Sequence, residues 1–238
     1  KLDGAAYRRR TGAFLCDSPK LVDEALRHGV TVECVVAAEG TAFPEGLPGT
    51  VRRVTVPGDV MHSISPLPTP QGVLAVCALP ALTAPDTLPA GRYVVLDGVQ
   101  DPGNVGTMLR TLDAAGFDAL LLGAGTADPF SPKALRATMG AVFRVPAYAC
   151  NLPQQLAAIA DTHDLYAGAL DGKPFFDRVR THPGVCVIIG NEGAGISDAV
   201  YAVPGIQRVR LPMAGGAESL NASVAGAIMV YDIVRLGK

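Results

Sequence analysis

Polar residues that could form a binding or catalytic site occur in three glycine-rich segments, each of which follows a short apolar run. The first segment, DGVQDPGNVGTMLR, carries Asn104 and Arg110 six positions apart. The second, IIGNEGAGIS, carries Glu192, and the third, RLPMAGGAESLNASVA, carries Ser219 and Asn221. Ligands of parallel α/β sheets bind at the carboxyl ends of the strands, so segments that follow strands are candidates for one shared site.

The same segments exclude two common nucleotide sites. Gly98 and Gly103 have the spacing of a phosphate loop, but Asn104-Val105 stands where Lys and Ser or Thr would be required. No G-x-G-x-x-G pattern is present in them, so a nucleotide-dependent oxidoreductase lacks its fingerprint. Taken singly, each glycine-rich segment is as typical of a tight turn as of a ligand site. The functional interpretation therefore depends on their combination.

In combination and in this order, N-x-G-x-x-x-R, G-N-E-G-x-G and L-P-M…S-L-N-x-S-V-A resemble the three motifs of the SpoU (TrmH) family of SPOUT methyltransferases. The resemblance runs from about Arg92 to the C-terminus and includes PKALRATMGAVFRVP, in which Thr138 replaces the usual Ser. Near the N-terminus, YRRRTGAFLCDSPKLVDEAL is similar to the L30e-like RNA-binding domain that often precedes the catalytic domain. There Cys16-Asp17-Ser18 replaces a more acidic stretch.

The resemblance implies both a fold and an activity. The fold is a small α/β L30e-like domain followed by an α/β domain whose parallel sheet forms a trefoil knot. The activity is transfer of a methyl group from S-adenosylmethionine to a ribose 2′-hydroxyl of RNA by a homodimer. Ribosomal RNA is the favoured substrate, because family members with this N-terminal domain mostly act on it. Transfer RNA, or an RNA-binding member without catalytic activity, remains the alternative.

The resemblance also assigns the residues of the site. The positions that match the catalytic set are Asn104, Arg110, Glu192, Ser219 and Asn221. The positions that would line the donor pocket are Gly190, Asn191, Gly195, Leu211, Met213 and Leu220. Arg110 is either the base or a clamp on an RNA phosphate or on the developing alkoxide. We favour the clamp, because a guanidinium does not readily lose a proton in a protein. Glu192 would orient Arg110, and the two Asn side chains would fix the loops.

Composition indicates whether the chain would bind nucleic acid, a metal ion or a membrane. The formal net charge of −2 lacks the basic excess of most nucleic-acid-binding proteins. Local basic clusters are the candidate RNA contacts, although a solvated surface explains them about equally well: Arg8, Arg9, Arg10, Arg52 and Arg53. The five cysteines and four histidines lack metal-binding spacing, so we expect reduced thiols and no metal. The best apolar run, residues 222–234, contains Asp232 and is too short to span a bilayer, so we expect a cytoplasmic protein.

The elements that must position these residues fall into two predicted domains. Residues 1–80 form the substrate-binding domain, with strands Val32–Ala37, Val51–Val56 and Val73–Ala78. Residues 81–91 are proline-rich and form a linker, and residues 92–238 form the methyltransferase domain. Apolar strands alternate with helices in this second domain, which predicts a parallel sheet covered on both faces. Each domain is expected to fold alone.

The last predicted helix extends from about Ser219 to Arg235. An apolar stripe follows one face of this helix, which is more typical of packing than of a functional role: Leu220, Val224, Ile228 and Tyr231.

Overall fold

The computed structural model describes residues 1–236, and the chain divides into two compact units. The first unit comprises residues 1–81 and 128–144, and the second comprises residues 82–127 and 145 onward. Within residues 1–236 we find no helix whose length and hydropathy would let it cross a membrane. The same residues contain no group of three His, Cys, Asp or Glu side chains placed to hold a metal ion.

The helices and strands alternate along most of the chain. In chain order they are α1 (Ala5–Thr11), β1 (Ala13–Cys16), α2 (Pro19–Arg27), β2 (Val32–Ala38), β3 (Arg52–Val56), α3 (Gly58–Ile64), β4 (Val73–Ala78), β5 (Arg92–Asp97), α4 (Pro102–Ala115), β6 (Ala119–Leu122), α5 (Pro132–Thr138), β7 (Ala147–Ala149), α6 (Leu152–Ile159), β8 (His163–Pro174), β9 (Gly184–Gly190), α7 (Asp198–Tyr201), β10 (Ile206–Arg210) and α8 (Ala222–Leu236). Two short 3₁₀ turns, Ala141–Phe143 and Phe175–Asp177, complete the assignment.

The first unit is built on a four-stranded mixed sheet with strand order β1-β4-β2-β3. Strand β4 pairs antiparallel with β1 and β2, whereas β2 pairs parallel with β3. Helix α2 begins at Pro19, because the Ser18 hydroxyl accepts a hydrogen bond from the backbone N–H of Leu21 and proline is favoured at the first helical position. The predicted strands of this unit are confirmed within two residues.

The position of residues 128–144 differs from the prediction, which assigns them to the methyltransferase domain. They pack within the first unit, where two arginine–carboxylate ion pairs hold them. The Nη2 of Arg8 lies 2.6 Å from Oδ2 of Asp128, and the Nη1 of Arg136 lies 2.6 Å from Oδ2 of Asp17. Arg8 and Asp17 are each only 1% exposed, so each ion pair has one buried member, whereas Arg136 remains 38% exposed.

Aromatic packing joins the same segment to the first unit. The ring of Phe14 on β1 lies 4.8 Å from the ring of Phe130 and 6.1 Å from that of Phe143, measured between centroids. A third ion pair joins Arg144 to Glu24 on α2. The chain therefore enters the second unit after residue 81, returns to the first for residues 128–144, and leaves it again.

The second unit contains the predicted parallel sheet. Its six strands lie in the order β10-β8-β9-β5-β6-β7, and every neighbouring pair is parallel. Strands β5 and β9 lie inside the sheet, and Val94, Val95, Val187 and Ile188 on them are fully buried. The continuous apolar runs in these strands thus reflect burial on both faces.

Helix α8 begins later than predicted. Its first residue is Ala222, because the side chain of Asn221 accepts hydrogen bonds from the backbone N–H groups of Ser223 and Val224 and so caps the helix. Ser219 and Leu220 therefore lie in the preceding loop instead of the helix.

Candidate active site

Asn104 lies at the centre of a hydrogen-bonded group at the carboxyl edge of the parallel sheet. Helix α4 follows β5, and Asp101 caps it by accepting a hydrogen bond from the backbone N–H of Asn104 at 3.1 Å. The Asn104 side chain is 9% exposed, and its Nδ2 donates to Oε1 of Glu192 at 2.8 Å. Its Oδ1 accepts from Nδ2 of Asn221 at 3.0 Å. Two segments far apart in sequence therefore meet α4 at a single amide.

The carboxylate of Glu192 anchors the loop between β5 and α4. Besides the Asn104 side chain, it accepts hydrogen bonds from the backbone N–H of Gln100 at 3.1 Å and of Asp101 at 3.3 Å. Burial alone would raise the pKa of Glu192, but these hydrogen bonds outweigh it and lower the pKa below the usual range. Glu192 is therefore ionised at neutral pH and poorly suited to accept a proton.

Ser223 completes this group, and sequence analysis gave it no role. Its side chain is buried on the first turn of α8, with Oγ 2.7 Å from Oδ1 of Asn221 and 3.2 Å from Oδ1 of Asn104. We call Asn104, Glu192, Asn221 and Ser223 the Asn104 network. The S-L-N-x-S spacing could have indicated Ser223, since it lies two residues beyond the capping Asn221.

Arg110 lies outside the Asn104 network. Its side chain is exposed on α4, and within residues 1–236 it forms no hydrogen bond, ion pair or aromatic contact. The expectation that Glu192 orients Arg110 is not met in the single chain, because the Glu192 carboxylate is engaged by Asn104 and the neighbouring backbone. Ser219 is exposed in the loop before α8 and contributes no side-chain hydrogen bond to the network within the described residues.

The loop after β9 is a tight turn held by its own side chains. Asn191 and Gly195 exchange two backbone hydrogen bonds of 2.9 and 3.0 Å. The Asn191 side chain donates to the carbonyl of Gly98 at 2.8 Å and accepts from the N–H groups of Gly193 and Ala194. Its amide is thus used to join this loop to the one after β5.

Gly190 is required by the same turn. A Cβ at this position would lie 2.3 Å from the carbonyl carbon of Gly195 and 2.4 Å from the backbone nitrogen of Ile196. A larger residue would therefore displace the turn itself, whether or not it also reached a ligand.

The loop between β10 and α8 has backbone groups available for a ligand. Within residues 1–236, the backbone polar groups of residues 211–220 form no hydrogen bonds with the rest of the chain. Apolar side chains lie among them, with Leu211 and Met213 half-buried and Leu220 36% exposed. Free backbone donors and acceptors beside apolar side chains fit an adenosine, which has a polar edge and an apolar face.

Comparison with known proteins gives the family. The profile of the SpoU rRNA Methylase family matches residues 91–231, and that of the MRM3-like substrate binding domain matches residues 1–75. The 23S rRNA (guanosine(2553)-2'-O)-methyltransferase RlmP of Bacillus subtilis is 37% identical over 98% of this chain and 93% of its own length.

The chain belongs to the SpoU rRNA methylase family.

Solved structures of SpoU-family enzymes have the same fold as this family member. The SpoU methyltransferase AviRb from Streptomyces viridochromogenes, in complex with AdoMet (S-adenosylmethionine), superposes with a TM-score of 0.88 at 26% identity, covering 99% of this chain and 95% of that one. The AdoMet-bound rRNA methyltransferase from Sinorhizobium meliloti gives a TM-score of 0.85 at 30% identity, covering 99% and 92%. The resemblance drawn from the three motifs is confirmed.

The basic residues expected to bind RNA in this SpoU-family chain differ in their exposure to solvent. Arg9, Arg10, Arg52 and Arg53 are exposed on the first unit. Arg8 is 1% exposed, and besides Asp128 its guanidinium bonds the carbonyls of Leu2 and Asp3 at 2.8 and 2.7 Å. The expectation that Arg8 contacts RNA is therefore wrong. Arg8 stabilises the interior of the first unit.

Proposed function

We propose that this protein transfers a methyl group from S-adenosylmethionine to a ribose 2′-hydroxyl of ribosomal RNA. The Asn104 network carries the proposal, because it joins all three family motifs at the carboxyl edge of the parallel sheet. The relative from Bacillus subtilis is named as a 23S rRNA 2'-O-methyltransferase, and two structural neighbours are solved with AdoMet bound. With an rRNA substrate we place the protein in the cytoplasm.

Different residues of the chain would bind the donor and align the loops of the site. The donor, when bound, supplies an electrophilic methyl group on a sulfonium. The backbone of residues 211–220 would hold it, with Leu211, Met213 and Leu220 excluding water from the adenosine. Glu192, Asn104 and Asn221 keep the three loops aligned and do not themselves take a proton. Gly190, Asn191 and Gly195 form the turn that closes this edge of the site.

Arg110 is the residue assigned to the acceptor. With the donor bound, the 2′-oxygen would form a bond to the methyl carbon while the bond from carbon to sulfur breaks, and the hydroxyl proton would pass to solvent water. An exposed guanidinium with no partner among the described residues can bind an RNA phosphate or stabilise the negative charge that develops on the 2′-oxygen. Ser219, exposed in the loop before α8, would face the same acceptor.

We further propose that the active form is a homodimer whose second unit carries a trefoil knot. The apolar stripe predicted for packing is exposed in the single chain. On α8 the exposed fractions are 46% for Val224, 37% for Ile228 and 51% for Tyr231, and Leu220, in the loop before α8, is 36% exposed. A contiguous apolar face on one helix favours burial against a second copy of the same helix. Arg110 and Ser219 would then gain neighbours from the partner subunit.

Light scattering with size-exclusion chromatography tests the dimer. Val224→Asp and Tyr231→Asp place carboxylates on the stripe and should shift the molar mass from two chains toward one. Val60→Asp on α3 is the matched control, because Val60 is 38% exposed but lies in the first unit, and it should leave the mass unchanged. A parent protein of one chain's mass at working concentration contradicts the dimer.

The first unit is proposed to select the RNA. Arg9, Arg10, Arg52 and Arg53 are its candidate phosphate contacts. Phosphate contacts make affinity fall with salt, so replacing Arg9 and Arg10 by Gln should flatten the dependence of RNA affinity on salt concentration. An unchanged slope contradicts this assignment.

The proposed reaction is tested with rRNA from a strain lacking the gene. The purified protein is incubated with S-adenosylmethionine and either that rRNA or transfer RNA from the same strain, and nucleosides are identified by mass spectrometry. One new 2′-O-methylated nucleotide, absent with Arg110→Ala, is the expected result. Methylation of transfer RNA alone contradicts the substrate assignment. Donor binding without methylation of either RNA contradicts the activity.

A further inference from the structure

The buried hydroxyl of Ser223 lies between the two amide oxygens of the Asn104 network. Its side chain is 6% exposed and contacts Oδ1 of both Asn104 and Asn221. Because amide oxygens only accept hydrogen bonds, the hydroxyl proton of Ser223 must be donated toward one of them at any moment.

The orientation of both amides follows from their other partners. The carboxylate of Glu192 only accepts, so Asn104 must present Nδ2 to it and Oδ1 to α8. The oxygen of Asn221 accepts from the two backbone N–H groups that it caps, so its Nδ2 points to Asn104. The single proton of the Ser223 hydroxyl can be donated to either oxygen, so Ser223 favours the arrangement in which both amides present Oδ1 to it.

We propose that Ser223 is a positioning residue for methyl transfer, a conclusion that rests on the proposed function. Through Asn104 it fixes α4, which carries Arg110, and through Asn221 it fixes the start of α8, which follows the donor loop of residues 211–220. It aligns the acceptor side of the site with the donor side and touches neither substrate.

This role predicts a specific kinetic signature. Alignment of two bound reactants affects the rate of the transfer step more than the binding of either reactant. Ser223→Ala should therefore lower the single-turnover rate constant about tenfold, the effect expected for one lost hydrogen bond in a buried network. The Kd for S-adenosylmethionine and the KM for RNA should each stay within about twofold of the parent, because the removed group contacts neither.

The experiment combines Ser223→Ala with a matched hydroxyl deletion and a double-mutant cycle. Thr111→Ala is the control, because the Thr111 hydroxyl lies on α4 and, within residues 1–236, bonds only the carbonyl of Thr107 on its own helix. Ser223→Ala is also measured in an Asn104→Ala background. Residues in one hydrogen-bonded group give non-additive effects, so there the further loss of rate should shrink to about twofold or less. Ala favours helices, so the variant retains its fold.

Three outcomes overturn the proposal. One is a Ser223→Ala rate constant equal to those of the parent and Thr111→Ala. Another is a weaker Kd for the donor that accounts for the whole loss. The last is full additivity with Asn104→Ala, which would show that Ser223 acts independently of the network. A parent that binds the donor but methylates no RNA instead contradicts the proposed function, so the two failures are distinguishable.

Discussion

Arg110 is an exposed cation at the proposed active site, and the role proposed for it follows from its surroundings. The ion pairs of Arg8 and Arg178 are buried inside the two units, whereas Arg110 makes no such contact among the described residues. A guanidinium held by none of residues 1–236 is available for a substrate anion.

Arg110→Ala is expected to abolish methyl transfer while leaving donor affinity within about twofold of the parent, since the lost interaction belongs to the acceptor. Arg110→Lys should also be poor, because an ammonium lacks the planar fork that binds a phosphate through two hydrogen bonds. Calorimetry with S-adenosylmethionine and a methylation assay measure the two effects. Near-normal turnover of the Ala variant would contradict our assignment of Arg110.

The motif spacing indicated that Asn104, Glu192 and Asn221 would lie close together, but not which side chains would be in contact. Asn104, Glu192 and Asn221 do converge, as expected from three strand ends. That Glu192 binds Asn104 and not Arg110 depends on how two loops meet, which no local pattern encodes. Arg8 was misassigned because three consecutive arginines look alike in sequence, whereas successive helical residues point about 100° apart and one of them faces inward.

Strand β8 shows why the ends of a strand are harder to predict from sequence than its presence. The sequence predicts a strand from residue 165 to 169, yet β8 spans His163–Pro174. Arg208 pairs with Ala167 and Val209 with Lys173, so residues 168–172 bulge out of the sheet. A Cβ on Gly172 would lie 2.5 Å from the backbone nitrogen of Val209, so this close approach requires glycine.

The start of β8 contains a buried histidine whose burial favours the neutral imidazole. His163 is 1% exposed, and its Nε2 accepts a hydrogen bond from the backbone N–H of Gly91 at 3.2 Å. Its Nδ1 lies 3.2 Å from the carbonyl oxygen of Ile159. Burial lowers the pKa of His163 below its usual value, so the unfolded chain binds the proton more tightly than the folded one.

The free energy of unfolding should therefore fall as the pH drops below about 6.5, by at most about 1.4 kcal/mol per pH unit from this one group. This stabilisation is fully present at pH values above the pKa of His163 in the unfolded chain and is lost progressively below it. Urea unfolding at pH 7, 6 and 5 measures the slope. His163→Asn should flatten it, whereas His62→Asn, at an exposed position on α3, should not. Equal slopes in parent and His163→Asn would contradict the prediction.

For the whole molecule, the main difference from expectation is the path of the chain between the units. The proline-rich segment of residues 81–91 suggested one linker and two domains that fold alone. The structure instead has three connections, because residues 128–144 pack in the first unit. Sequence could not show this, since the contacts that decide it join residues about 120 positions apart, such as Arg8 and Asp128.

Deleting residues 1–81 should consequently do more than weaken RNA binding. Phe130, Leu135 and Val142, at 3%, 0% and 8% exposure, would lose their packing partners in the first unit and become exposed apolar residues. We expect the truncated chain to aggregate on size-exclusion chromatography. The same truncation carrying Phe130→Ser, Leu135→Gln and Val142→Ser should elute as a defined species that binds the donor. A truncated chain that is soluble and binds the donor without these changes would contradict the prediction.

The returning segment also sets the timing of folding on the ribosome. The first unit cannot complete its interior when residue 81 emerges. Arg8, Phe14 and Asp17 contact residues of the segment 128–144, which is synthesised later. The 63 residues that follow residue 81, up to residue 144 (144 − 81), take roughly 3 to 13 seconds to synthesise at ordinary elongation rates. During this interval Arg8 and Asp17 of the nascent N-terminal unit lack their ion-pair partners, and the ring of Phe14 lacks the aromatic rings that pack against it. It is then a natural client for chaperones, and slowing translation within this stretch would lengthen its exposure.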